Sequence, residues 1–333
     1  MLGGLVFKEK IEKLIGCSLD DNITTEDETY LIHRDSIVGA DQVLHYFNSV
    51  AALLCDTGEG KNYLVDVSRA RIATLSRQDI GHIADRRYVA AAFRVPERSV
   101  STVWLADQLV SATKAEVRIE QIMRTRVTGI RPREDTDGTQ WTVETGNFEH
   151  GPFDWVVNCL WQGKLAIDSK LGLRPLSEWS HRYRLALFIR TARPVKCPSA
   201  VIAVGPFGDI KSYNDRTFYL SWYPGGLIAE DCSLEPPSPI IGDAARSRVV
   251  ESTISKLEMI LPIARAIYAQ RQSMDVDGGW VFAMGAGSLA NVASTIHRRD
   301  RIGIYQYGTY ITVDTGKYSM APLLAEKAVS LIR

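Results

Sequence analysis

Within the run Phe153 to Cys159, the residues Trp155-Val156-Val157 put no polar side chain on either face, and this constrains the fold more than any other feature of the chain. A strand at a sheet surface alternates apolar with polar residues, whereas one that is apolar on both faces belongs in a parallel sheet covered by a layer on each side. The sequence around it supplies such layers. Val103, Leu105, Leu109 and Val110 give Ser101 to Lys114 a helical pattern, and the alternating segment Glu116 to Glu120 follows at once as a strand. Arg124 to Ile130 and Gln140 to Thr145 read as an antiparallel ribbon with the turn signal Asp137-Gly138 between them.

On either side of this block the pattern is mixed. Strands are expected at Thr29 to His33, Tyr63 to Val67 and Val89 to Val95, and helices at Ala40 to Leu54 and Gln78 to Ala84. Arg182 to Trp222 is rich in aromatic and β-branched residues and broken by Pro194, Pro198 and Gly205-Pro206, which predicts several antiparallel strands. Ala244 to Leu261 reads as a helix, Gly278 to Met284 and Ile302 to Tyr305 as strands, and Ser319 to Ile332 as a last helix.

Charge and cysteine usage narrow the function. Lys plus Arg and Asp plus Glu number 39 each, so no net field draws the chain to nucleic acid or an anionic membrane. The expected partner is a small molecule. Five widely spaced cysteines and six scattered histidines form no disulfide framework or metal-ligand spacing, and no structural metal is expected. With no signal-like start and no long apolar run, a cytoplasmic location is expected. Gly285-Ala286-Gly287-Ser288-Leu289-Ala290 imitates a dinucleotide fingerprint, but too little chain follows to complete the unit that such a motif opens. It reads as a coincidence, and an NAD-dependent dehydrogenase as a remote reading.

Four segments, occurring together and in order, carry a family resemblance. They are Val103 to Val127 with Thr125-Arg126-Val127 at its end; Trp155 to Gly163, with Asn158-Cys159 leading through Trp161-Gln162 to Gly163; Gly205 to Ile210 continuing to Tyr219-Leu220-Ser221-Trp222-Tyr223-Pro224; and Asp314 to Pro322 before the last helix. Together they resemble FAD-dependent oxidoreductases of the D-amino-acid-oxidase type, the branch that includes glycine and sarcosine oxidases. The resemblance implies a mixed α/β architecture, an incomplete Rossmann-like FAD-binding domain interleaved with an antiparallel-sheet substrate domain. Residues 1–100 would be mainly substrate domain, 101–175 cofactor domain, 176–300 substrate domain, and 301–333 the closing strand and helix of the cofactor domain.

It also implies a site. The cofactor FAD would be touched by Val127, through its backbone at the adenine, and by Asn158, Cys159, Gly163, Thr315, Gly316, Lys317, Tyr318 and Met320. The amino end of the last helix, with Pro322 in its first turn, would stabilise the negative charge of a reduced flavin. Arg182, Arg184, Tyr219, Trp222 and Tyr223 would face the substrate, because arginines two apart on a strand share a face and bind carboxylates bidentately. Core packing accounts for the aromatic rings of this region equally well, and a solvated strand edge for the arginines. Lys317 and Tyr223 are the candidates for the reacting centre. His297-Arg298-Arg299 reads as a surface turn.

One part of the family pattern has no match: the opening strand, glycine-rich turn, helix and second strand, which need at least about 30 residues that nothing before Tyr30 supplies. The expectation is therefore a start assigned too late, a truncated gene, or a separate chain carrying that unit. The reading is an oxidoreductase moving a hydride from an amine, amino acid or hydroxy acid to FAD, impaired without that unit. The alternative is a non-catalytic remnant or interaction module of the same fold.

Overall fold

The structure is a computed structural model that describes residues 2–58, 60, 63–68, 71–135, 138–298 and 300–332. The first half comprises helix α1 (Leu2–Ile15), strand β1 (Glu28–His33), α2 (Ala40–Thr57), β2 (Ala73–Thr74), α3 (Arg77–Ile83), β3 (Val89–Val95) and α4 (Thr102–Ala115). The middle follows with β4 (Gly129–Asp135), β5 (Gly138–Thr145), β6 (Phe148–Phe153), β7 (Val156–Asn158), α5 (Lys164–Lys170), β8 (Ser180–Thr191), β9 (Ala200–Ala203), β10 (Gly208–Ser212) and β11 (Thr217–Trp222). The rest is α6 (Tyr223–Gly226), β12 (Leu227–Asp231), α7 (Asp243–Ile260), α8 (Ile263–Ala269), β13 (Arg271–Ala283), β14 (Gly303–Tyr307), β15 (Tyr310–Asp314) and α9 (Ala321–Leu331).

Three sheets result, and the fold is mixed α/β as expected. The largest has nine strands in the order β12-β8-β11-β10-β9-β1-β3-β2, with β13 also pairing β8. One edge of β8 carries β13 along its length, and the other carries β11 at Leu187 to Arg190 and β12 at His181 to Arg184. All its pairings are antiparallel except β1 with β9. Helix α7 covers this sheet because Val249, Thr253, Leu257 and Ile260 fall on one face at spacings of three and four and are all buried. Its apolar members join Leu185, Leu187, Phe218 and Leu220 in the main core.

The second sheet, β14-β15-β7, has three strands, with β7 parallel to β15 and at the edge. Here the apolar run at Trp155 to Val157 is parallel to its neighbour as expected, but the burial on both faces is not found: Val157 is 38% exposed, and among the described residues β7 is paired on one side only. The third sheet is the antiparallel meander β4-β5-β6. Its first ribbon begins later than expected, at Gly129, and Asp137 of the turn lies outside the described residues.

Two other readings are corrected. Glu116 to Glu120 is not a strand: no strand lies beside it among the described residues, and Val117 is 96% exposed. Alternation alone does not hold a strand without a neighbour to pair with. Tyr63 to Val67 forms bends, not a strand. Gly285 to Ala290 follows β13, which is antiparallel to β8, and it opens no helix, so the dinucleotide geometry is absent there.

Candidate functional site

The last strand ends at a turn that the sequence builds from specific parts. Asp314, buried at the end of β15, accepts a hydrogen bond from the Gly316 backbone N–H at 2.9 Å. Gly316 has φ +52, and a Cβ there would lie 2.2 Å from Ile302 Cδ1, so both conformation and space call for glycine. Exposed Lys317 follows, then a 3-10 turn, Tyr318–Met320, that feeds α9 with Pro322 in its first turn. Helix α1 lies on this turn because residue 3 is glycine: a Cβ there would meet Met320 Sδ and Ser319 O at 2.6 Å. The side chain of Met320 joins Ile311, Val313 and Leu324 in a small core beneath.

A cavity of 160 Å³ opens on Gly316 and Lys317, and its opposite wall is the face of β8 that carries Arg182 and Arg184. The period-two reading of these arginines holds, since both line it. Tyr223, at the start of α6, completes that wall, and the Arg184 guanidinium stands 3.4 Å from the centre of its ring, a cation–π stack. Arg184 Nε is buried with no hydrogen-bond partner among the described residues. Arg298 and Arg301 also line the cavity, so five cationic side chains surround it; Asp300 pairs with both of these arginines, at 2.5 and 3.5 Å, and Asp314 is the one acid on the wall among the described residues. The field inside favours an anion. A second cavity of 660 Å³ shares Arg182, Arg184 and Tyr223 with the first, and Gly287 to Leu289 form part of its rim.

Arg298 and Arg301 are the residues that sequence reading missed. Arg298 is exposed at the end of a short turn, as expected, and also lines this cavity; Arg299 lies outside the described residues. The signal available was the density of basic residues from His297 to Arg301, which loses meaning without knowing that the loop folds back on β8.

The expected substrate residues do not all converge. Tyr219 lines a different cavity of 470 Å³ that meets the same turn at Lys317 and Tyr318. Burial, above all, raises its phenol pKa above the ordinary value. Trp222 is a correction: it lies on the other face of β11 from Tyr219, packed on Phe207 at 6.3 Å between ring centres in the main core. Its neighbour Tyr223 reaches the site because the chain leaves the strand there.

At the end of β7 the Asn158 side chain turns inward. Its Oδ1 accepts from Leu160 N at 3.1 Å, fixing the turn, and its Nδ2 donates to Lys164 O, Asp168 Oδ1 and Tyr310 Oη at 2.8–3.1 Å. Lys164 Nζ and Asp168 Oδ2 are 3.0 Å apart, and both side chains are buried. Tyr310 and Thr312 hydroxyls donate to the same carboxylate at 2.6 and 3.0 Å. The network locks β7, α5 and β15 together and leaves Cys159 and Leu160 exposed beyond it. Gly163 lies half-buried in the following 3-10 turn, and Val127 packs on the cluster of Ile130, Trp141 and Tyr310. Thr315 is half-buried between Asp314 and Gly316, and the Tyr318 ring lies 5.9 Å from that of Phe7.

No protein-family model matches the chain, and no curated protein matches it by sequence. Solved structures do. L-proline dehydrogenase from P. horikoshii matches at TM-score 0.62 and 12% identity, over 99% of this chain and 76% of that one. Glycine oxidase from Geobacillus kaustophilus matches at 0.62 and 11%, over 97% and 75%. L-α-glycerophosphate oxidase from Mycoplasma pneumoniae, solved with FAD bound, matches at 0.59 and 11%, over 99% and 82%. At such identities the likeness establishes the fold alone, and the fold of this chain is the one shared by these solved dehydrogenase and oxidase structures.

Proposed function

We propose that the chain is an FAD-dependent oxidoreductase that removes a hydride from the carbon bearing the nitrogen or oxygen of an amine, amino acid or hydroxy acid. The observation that carries this reading is the cation-lined cavity closing on the Gly316–Lys317 turn. The residues of this turn and wall would hold a flavin, which would supply the two-electron redox chemistry for a substrate that loses a hydride from carbon and a proton from nitrogen or oxygen. The residues fit the charge of such a group: Arg182, Arg184 and Lys317 offer positive charge to an anionic edge, and Gly316 beside them is held by its close packing on Ile302. Arg182 and Arg184 would hold a substrate carboxylate, with Tyr223 positioning Arg184 by stacking. Lys317 stands nearest the reacting centre, and Thr315, Tyr318 and Met320 shape the turn around it. Val127 would meet the adenine through its backbone, and the turn of Asn158, Cys159 and Gly163 would lie beside the flavin. On this reading 101–175 and 301–333 hold the cofactor, and 176–300 with most of 1–100 the substrate.

A second reading, a module of the same fold that binds no flavin, has one observation in its favour. The outer edge of β7 is unpaired, and the described residues include no strand, glycine-rich turn and helix of the kind that grips a diphosphate. A separate chain carrying that unit would pair with this edge and complete the site. The two readings part on a titration of FAD into the purified chain, with and without that unit supplied as a second polypeptide. Saturable binding, followed by anaerobic bleaching of the visible flavin bands with an amine, amino acid or hydroxy acid, is the expected result. A folded chain that binds no FAD under either condition would overturn the flavin reading.

A further inference from the structure

A groove of 340 Å³ runs between α2 and the sheet at β1 and β3, lined by Tyr30, Phe47, Val50, Leu54 and Val95, with Glu97 at one end. Glu97 is the one charged side chain among its described lining residues. It accepts a hydrogen bond from Tyr30 Oη at 2.6 Å, and the Tyr30 ring lies 4.7 Å from that of Phe47. At the Glu97 end the groove joins the 470 Å³ cavity that reaches Lys317, sharing Gly4, Tyr63 and Ser319 with it. Three cations line that cavity: Lys211 is paired with Glu28 at 2.7 Å, Arg98 with Asp27 at 2.9 Å, and Lys317 lies at the turn before the last helix. A ligand entering the groove itself meets Glu97 as the one charged side chain among the described residues of its wall.

We propose that this groove binds an amine bearing an apolar or aromatic substituent, with the ammonium against Glu97 and the substituent among Tyr30, Phe47 and Val50. A carboxylate stabilises an ammonium, tyrosine faces add cation–π attraction, and the apolar walls favour a ring over a methyl group. An anion in the same place would face Glu97 across a low-dielectric gap. Burial first, then the charges of Glu97 and Glu28, raise the Tyr63 phenol pKa above its ordinary value, in keeping with negative potential at that end. The inference rests on the flavin reading only for the statement that such an amine is oxidised; its binding needs no cofactor.

The test is calorimetric titration of the full chain with phenethylamine, methylamine and phenylacetate. Phenethylamine is expected to bind at least about tenfold tighter than either of the others. Glu97→Gln should erase the preference for amine over carboxylate, and Val50→Trp should erase the preference for the ring, each with a melting temperature close to that of the unaltered chain. Equal binding of phenethylamine and methylamine, tighter binding of phenylacetate, or no binding of phenethylamine overturns the proposal on the unaltered chain alone. If phenethylamine binds as expected but FAD does not, the groove stands and the flavin reading falls; the opposite pair of results separates them the other way.

Discussion

In the nine-stranded sheet, β8 buries Leu185, Leu187 and Ile189 against α7 and α8, and its neighbour β11 adds Phe218 and Leu220. In the sheet β14-β15-β7, one side packs Ile311, Val313 and Leu324, and the other is occupied by Asn158, Lys164, Asp168, Tyr310 and Thr312, joined by hydrogen bonds and one ion pair. The first is held by apolar area, which is tolerant of small displacement and indifferent to direction. The second is held by partners that must all be present, since a buried polar group left alone costs more than the bond it made. The difference falls where function would need it: the large sheet offers a wall, and the network fixes the strand that ends at the Gly316–Lys317 turn to within hydrogen-bond tolerance.

Removing a single member of the network should therefore cost more than removing a larger apolar group from the wall. Asp168→Ala leaves the Lys164 ammonium buried without its carboxylate and strands the Tyr310 and Thr312 hydroxyls, and it is expected to lower stability by about 3–5 kcal/mol in a urea titration. Amide exchange should accelerate first in β7 and β15. Leu187→Ala, at a position with 0% exposure, is expected to cost about 2–4 kcal/mol, with exchange accelerating in β8 and β11 instead. Equal costs with one common exchange pattern would mean that the two sheets share a single cooperative core. Gly316→Ala asks less of either: a left-handed backbone at a non-glycine residue, plus displacement of the Ile302 side-chain end, amounts to about 1–2 kcal/mol. Its melting curve should shift accordingly, and a larger loss would show that the turn cannot move without the network beneath it.

How much of this was legible follows the same division. The wall could be read, because apolar periodicity reports on one face at a time: β3 was expected at Val89 to Val95 and is found there, and Arg182 and Arg184 share a face by alternation. The network could not. Strand β15 carries Thr312 and Asp314 in buried positions, and polar residues read as solvent-facing until the partners that satisfy them, here Lys164, Asp168 and Gly316, are placed beside them by the fold. Helix α1 was hidden by Gly3-Gly4, poor helix formers, which are used for close approach, Gly3 to Ser319 and Met320 and Gly4 to the Tyr63 ring. Phe7, Ile11 and Ile15, four apart, were the available signal. Glu116 to Glu120 shows the converse, a strand pattern that no neighbour realises.

A last contrast between the sheets concerns pH. His33 in β1 and His181 in β8 belong to the large sheet, and burial, the leading cause for each, lowers their pKa below the ordinary 6.5. The His181 ring is buried between Trp280 and Phe282, at 6.1 and 5.2 Å. About one unit or more above pH 6.5 both rings are essentially neutral in folded and unfolded chains and add no slope. As pH falls below that value the unfolded chain takes up protons that the folded chain refuses, so stability declines until the folded pKa values are passed. Strands β7, β14 and β15 contain no histidine, and their local opening has no such term. Urea midpoints measured from about pH 8 down to about pH 5 should fall on the acid side for the unaltered chain and fall less for His181→Phe, which keeps the ring contacts and removes the proton site. An identical slope in the variant would place the acid sensitivity elsewhere, with His33 the next position to substitute.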